Sequence, residues 1–272
     1  MVDKSEKFSW LVRVGYFSRA ILYFVLGLVA LTSASKIAEG TNGIFRAIND
    51  FPGGNVILWI MVVGLVAYAL FRFCSPLFDI ENQGSDGKGW AKRIGHAGSG
   101  IAHIALAYSA YQFAGRDSSG TSSGSGGGGG AQEAASGVLS MEFGGALLGI
   151  LGLAFFIAAI FQVKKGITGE FMNRISGQAP SATRWLGGAG YVARGVVYTV
   201  IGWSLFKAGF MSSGAEQIKT LGDAVASLAG EGFIFTLTAI GLMLFGLFSL
   251  VLARYRIIPE LDSDAGVPKF RA

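Results

Sequence analysis

Three scarcities constrain this 272-residue chain before any motif is considered. It has one cysteine, Cys74. No intramolecular disulfide can form and no cysteine cluster can hold zinc or an iron–sulfur centre, which leaves a passive thiol near a helix end. It has two histidines, His96 and His103. Seven residues apart, they share one helix face but stand about 10 Å apart along it, too far to hold one metal jointly. A haem held by histidines from two helices is likewise excluded. Charged residues make up only 14% of the chain, and none of its long apolar blocks contains Asp or Glu. An intramembrane carboxylate is therefore missing as an ion-pair partner and as part of a buried proton relay. No nucleophile–base–orienter set stands out either, so enzyme activity is not expected.

What is abundant is apolar surface and glycine. Half the residues are apolar and 42 are Gly. The apolar residues gather in six blocks, Val14–Leu31, Val56–Phe73, Ile94–Ala114, Ala146–Val163, Ala189–Phe206 and Phe233–Ala253. At about 1.5 Å per residue, roughly 20 residues cross a hydrocarbon core of about 30 Å. Period-two alternation is absent, so helices are the elements that can satisfy their backbone in lipid. Lys4 and Lys7 precede the first block, but no small-residue cleavage site follows, so it reads as a retained helix. Of the 22 Lys and Arg, 15 lie in the N-terminus, the C-tail and the segments after the second and fourth blocks. That bias predicts both termini on the cytoplasmic side. It also accounts for the net charge of +5 without any nucleic-acid partner.

The strongest pattern is internal repetition. Trp10, Trp90 and Trp185 open three stretches that align without gaps through Gly15, Gly95 and Gly190, then Tyr23, His103 and Tyr198. Each Trp is placed as an anchor at the water–lipid boundary. The even helices repeat through Phe71-Arg72, Phe161-Gln162 and Phe248-Ser249, with Gly64, Ala154 and Gly241 seven residues before each Phe. The second unit carries an insertion, the Ser/Gly tract 118–130, which reads as a flexible outer loop. Gly124, Gly126 and Gly129 match a dinucleotide-binding spacing, but no strand precedes them. Short amphipathic runs, Ile44–Phe51, Ala134–Met141 and Leu221–Leu228, precede the even helices and are expected at the outer surface.

The fold expected is an all-α membrane protein. Six transmembrane helices form three parallel two-helix repeats, about 8–79, 88–168 and 183–258, in one domain with pseudo-threefold symmetry. Small residues favour close backbone approach, which places the odd helices nearest the axis.

The paired-helix units, with openings Trp10…Gly15-Tyr16-x-x-Arg19-Ala20 and Trp185…Gly190-Tyr191-x-x-Arg194-Gly195, resemble the bacterial membrane family catalogued as domain of unknown function 1206. The middle unit departs from that pattern, with His96 and Ser99 where its sisters have Tyr and Arg. The resemblance implies a bacterial inner (plasma) membrane protein and supplies no catalytic residues.

The polar residues of interest are intramembrane. Arg19 lies nine residues past Trp10, about 13 Å below that interface. Tyr16, Arg19 and Tyr23 share a face, as do Tyr191, Arg194 and Tyr198; the middle unit offers His96, Ser99 and His103. Burying an Arg costs about 2.5 kcal/mol or more on insertion scales. These nine residues are the candidate site for an anion or lipid headgroup, which guanidinium geometry suits. In the structural alternative each Arg snorkels or bonds to carbonyls of a neighbouring unit. Arg72, at an inner helix end, reads as a lipid anchor. No metal or cofactor is expected. The function expected is a non-enzymatic structural or accessory protein that binds lipids or other membrane subunits. The alternatives are a channel or transporter for a small anionic solute along the axis, and a haem- or quinone-contacting redox subunit.

Overall fold

A computed structural model describes residues 4–32, 41–78, 86–114, 129–211 and 214–257. Six long helices carry the fold: α1 (Lys4–Thr32), α3 (Gly54–Phe78), α4 (Gly87–Ala114), α6 (Gly144–Thr168), α7 (Thr183–Phe210) and α9 (Phe233–Tyr255). Three short helices, α2 (Thr41–Asn49), α5 (Gly129–Leu139) and α8 (Leu221–Ala226), stand where the amphipathic runs predict them. Among the described residues there is no strand, only an isolated bridge from Ile175 to Arg256. Gly129 and Gly130 of the Ser/Gly tract begin α5; the rest of the tract lies outside the described residues.

Four of the six expected spans are long and apolar enough to cross a membrane: Val12–Thr32, Gly54–Cys74, Gly144–Thr168 and Phe233–Tyr255. Helices α4 and α7 have the length, but His96, Ser99 and His103 in one and Arg194 with its tyrosines in the other lower their apolarity.

The repeat is visible in hydrogen bonds. Between α2 and α3 the amides of Asp50, Phe51 and Gly54 donate to the carbonyls of Arg46, Ile48 and Phe51. The same three bonds recur for Ser140, Met141 and Gly144, and again for Ser227, Leu228 and Glu231. Asn55 donates to the Ala114 carbonyl at the end of α4. Arg13 caps α9 through the carbonyls of Ala253 and Arg254, and Arg93, its counterpart, caps α3 through Pro76. Cations suit these carbonyl ends, where the helix dipole is negative. The third counterpart is Gly188, and Arg184 instead caps α6 at Thr168.

The long helices pack in the order α6–α7–α9–α1–α3–α4, each antiparallel to its neighbour. Odd and even helices alternate, so α1, α4 and α7 do not form the inner ring that their small residues suggest. Glycine allows the closest seams. A Cβ on Gly15 would lie 2.6 Å from that of Tyr68, and one on Gly190 would lie 2.6 Å from that of Phe245. These seams close the first and third units. In the second, α4 and α6 form no packed seam, and a Cβ on Gly95 or Gly98 would meet nothing within 4 Å. The ring of three equivalent pairs is therefore interrupted within the middle pair.

Candidate functional site

The interior toward which α1, α3, α4, α7 and α9 turn is built from arginines and aromatic rings. Arg19 on α1 is only 6% exposed. Its Nε donates to Ser249 Oγ on α9 at 3.1 Å, and its Nη1 donates to the Tyr68 hydroxyl on α3 at 3.0 Å. The guanidinium lies 4.6 Å from the Tyr16 ring centre and 5.0 Å from that of Phe245. Arg194 on α7 donates through Nη2 to the Tyr198 hydroxyl and lies 4.6 Å from Phe245 and 5.5 Å from Tyr23. One ring, Phe245, therefore meets both guanidiniums. Such cation–ring contacts favour the charge, each by about 0.5–2 kcal/mol.

A third guanidinium joins them. Long helical side chains lean toward the N-terminus of their own helix. On the antiparallel pair α1 and α3, Arg19 and Arg72 therefore lean toward each other. They meet at Tyr68, whose hydroxyl also accepts from Arg72 Nε at 3.1 Å and Nη2 at 2.7 Å. A hydroxyl has two lone pairs, yet this one faces three guanidinium N–H groups. The site is short of acceptors. Arg19 Nη2 and Arg194 Nε have no hydrogen-bond partner at all among the described residues. The segments 12–32, 54–78, 87–114, 144–168, 183–210 and 233–255 hold no carboxylate that could balance the charge.

The middle unit borders this interior without adding a cation. The His103 ring on α4 lies 4.6 Å from that of Tyr68. Its Nδ1 is 2.6 Å from the Ser99 carbonyl, which can only accept, so Nδ1 carries the proton. His96 is half-buried on the same face two turns away. Tyr191 packs edge-on against Phe245 and Phe248. On the far side the Tyr198 ring meets Phe155 of α6 at 5.5 Å.

Tyr16, Tyr23, Arg19, Arg194, Tyr198 and His103 thus converge as their helix faces predict. Tyr68, Phe245, Arg72 and Ser249 are additions from the even helices. A signal for two of them is the aligned polar position after each repeated Phe, held by Arg72, Gln162 and Ser249. Arg72 is half-buried, and its guanidinium bonds to the Tyr68 hydroxyl one turn back on α3. The carbonyl-bonding role imagined for Arg19 and Arg194 falls to Arg13, Arg93 and Arg184 instead. Trp10, Trp90 and Trp185 are all exposed.

At the end of the bundle bearing α5 and α8, a shallow cavity of about 290 Å³ is lined by Gln132, Glu216, Lys219 and Asp223. Partial burial, then the charge of Lys207, holds the Lys219 ammonium below the usual lysine range. A larger fraction of its amine is neutral at a given pH. An amine-acylating reagent at about pH 9 is expected to label Lys219 ahead of Lys164 or Lys165, as read by peptide mass spectrometry. Equal labelling rates would contradict this.

The architecture defines a class: an all-helical protein with four helices suited to a membrane and a two-helix unit repeated along the chain. The chain belongs to the family described as Domain of Unknown Function (DUF1206), whose model matches residues 14–78, 94–169 and 189–256, one segment per unit. It is similar to "Uncharacterized protein YxxB" of Bacillus subtilis (strain 168), with 28% identity over 267 residues, covering 93% of this chain and 94% of the relative. No solved structure matches it.

Proposed function

We propose that this is a non-enzymatic integral membrane protein that binds an anionic ligand among Arg19, Arg72 and Arg194. In this reading all six long helices cross a bacterial plasma membrane as three parallel pairs, with both termini cytoplasmic. The Lys/Arg bias supports the orientation, and the exposed tryptophans support the span limits. Lipids are its first partners, and it serves as an accessory component rather than a catalyst.

One observation carries the binding reading: Arg19, buried, and Arg194, half-buried, each keep a donor atom without a partner, and neither pairs with a carboxylate among the described residues. Desolvated cations are costly unless paired, and an oxyanion supplies both the charge and the missing acceptors. Conduction along the axis is less well supported, because Tyr16, Tyr68 and Phe245 are packed edge to ring with no more than 1% exposure. A haem contact rests on the single Nε2 of His103, whose Nδ1 bonds to the Ser99 carbonyl, and no second helix supplies a histidine as the opposite ligand.

The test is thermal unfolding of the purified full chain in uncharged detergent, with phosphate or sulfate titrated at constant ionic strength. Binding to the native state raises Tm by mass action, about 2.7 kcal/mol at a hundredfold excess over Kd. Arg19→Gln and Arg194→Gln are each expected to flatten the titration. An unchanged Tm in the parent protein would remove the reading.

A further inference from the structure

The orphan donors Arg19 Nη2 and Arg194 Nε are shut off from solvent. An anion can reach them only if part of the surrounding wall moves. At the end where α9 stops, that wall includes the loop 169–182 between α6 and α7. The loop leaves α6 at Gly169, whose φ of 72° is a left-handed conformation that glycine adopts without strain, and makes a short 3-10 turn at Glu170–Arg174. Its inner side is apolar. Phe171 and Met172 pack on the core and Ile175 is buried, while Asn173, Gly177 and Gln178 face outward. The Phe171 ring lies 5.1 Å from that of Tyr191 and 5.0 Å from that of Phe248. Tyr191 in turn packs against Phe245, the ring that Arg19 and Arg194 share. Room for Phe171 comes from Gly187, where a Cβ would lie 2.4 Å from its ring. The aligned positions in the other units are Val12 and Lys92, so the glycine occurs only where this loop tucks in.

A short bridge ties the loop to the end of α9. The Ser176 amide donates to the Tyr255 carbonyl at 2.9 Å, and the Ile257 amide donates to the Arg174 carbonyl at 3.0 Å. Between those bonds sits Arg256, extended rather than helical, with its guanidinium 5.3 Å from the Tyr16 ring centre. Tyr16 also meets Arg19, at 4.6 Å. Shared rings therefore link three guanidiniums in series from the loop inward: Arg256 and Arg19 through Tyr16, then Arg19 and Arg194 through Phe245. Resting on the anion reading, we infer that the arginine interior is an occluded site for a water-soluble oxyanion of the phosphate or sulfate kind. It is loaded from the end where α9 stops, with segment 169–177 as its lid and Arg256 as the guanidinium that meets the anion first. In the orientation proposed above, that end is cytoplasmic. The sides of a membrane-embedded bundle face hydrocarbon, which leaves its ends to a hydrated anion, and the guanidinium series reaches this one. Each fork it meets can replace lost water with charge-assisted hydrogen bonds.

The experiment uses the full chain in uncharged detergent, with Cys74→Ser to remove the single native thiol and Ser176→Cys plus Tyr255→Cys across the bridge. Residues that share a backbone bond in an antiparallel pair stand about 5.5 Å apart at Cα, within reach of a disulfide. Uptake of radiolabelled phosphate is timed by rapid desalting, with the pair reduced and then oxidised. Oxidation is expected to slow uptake about tenfold or more, and reduction to restore it. Label loaded before oxidation should stay with the protein. Arg256→Gln should slow uptake about tenfold, as the loss of a steering charge at the entrance does. Arg254→Gln, at an exposed neighbour, should not. Uptake as fast in the oxidised pair as in the reduced one, or an Arg256→Gln rate equal to the parent's, would overturn the inference while leaving the anion reading intact. So would two cysteines that fail to join. Uptake blocked by short-chain phosphatidylglycerol but not by sulfate would overturn it in favour of a lipid headgroup. No uptake and no response of Tm to phosphate in the parent would defeat both.

Discussion

Arg19→Met is expected to raise the Tm of ligand-free protein in detergent while abolishing the gain from phosphate. The two signs follow from one geometry. Removing Arg19 leaves no orphan behind: Tyr68 still accepts from Arg72, and Ser249 Oγ still donates to the Phe245 carbonyl at 2.8 Å. What disappears is a buried cation that repels Arg72 and Arg194 and has no carboxylate partner. Replacing buried, imperfectly compensated charge by an apolar side chain of similar volume stabilises proteins by about 1–4 kcal/mol in measured cases. The loss of cation–ring contacts to Tyr16 and Phe245 offsets about 1 kcal/mol or more of that. The expected net effect is a small gain, on the order of 1 kcal/mol. Differential scanning fluorimetry on delipidated protein reads it directly. A fall in ligand-free Tm would mean that the arginine is a structural brace.

The second large effect concerns the α6/α7 seam, where backbones touch. A Cβ on Gly209 would lie 2.3 Å from the Gly149 amide nitrogen and 2.4 Å from the Gly145 carbonyl oxygen. A Cβ on Gly152 would lie 2.6 Å from the Phe206 nitrogen. Backbone cannot swing aside as a side-chain tip can. Gly209→Leu therefore forces the helices apart, with an overpacking cost of about 1–3 kcal/mol before lost contacts are added. The yield of monodisperse protein in size-exclusion chromatography should fall sharply. Gly98→Leu, the same substitution at a glycine facing open space, should leave it unchanged. Equal behaviour of the two variants would contradict the helix order.

Much of this was legible in the residues. Apolar blocks placed the long helices, and the spacing of Trp10, Trp90 and Trp185 placed the repeat, because each helix answers to its own local pattern. The helix faces carrying Arg19 and Arg194 were also legible, since i, i+3 and i+7 fall together whatever the neighbours are. What a single helix cannot reveal is which helix lies beside it. Arg72 bonds to Tyr68 one turn back on α3 itself, but that the same hydroxyl also takes Arg19 shows only once α3 runs against α1. The missing α4/α6 seam was hidden for the same reason: Gly95 and Gly98 look like packing residues, and only their surroundings show them unused. The substitution of His96, Ser99 and His103 in the middle unit was the visible trace of that difference.

The most direct measurement is an experimental density map of the full chain purified from its own membrane at a resolution that shows side chains. The account predicts a tetrahedral, phosphate-sized feature within hydrogen-bonding distance of Arg19 Nη2 and Arg194 Nε, the two atoms without partners. Finding both atoms bonded to protein carbonyls or carboxylates, with nothing between the arginines, would contradict it.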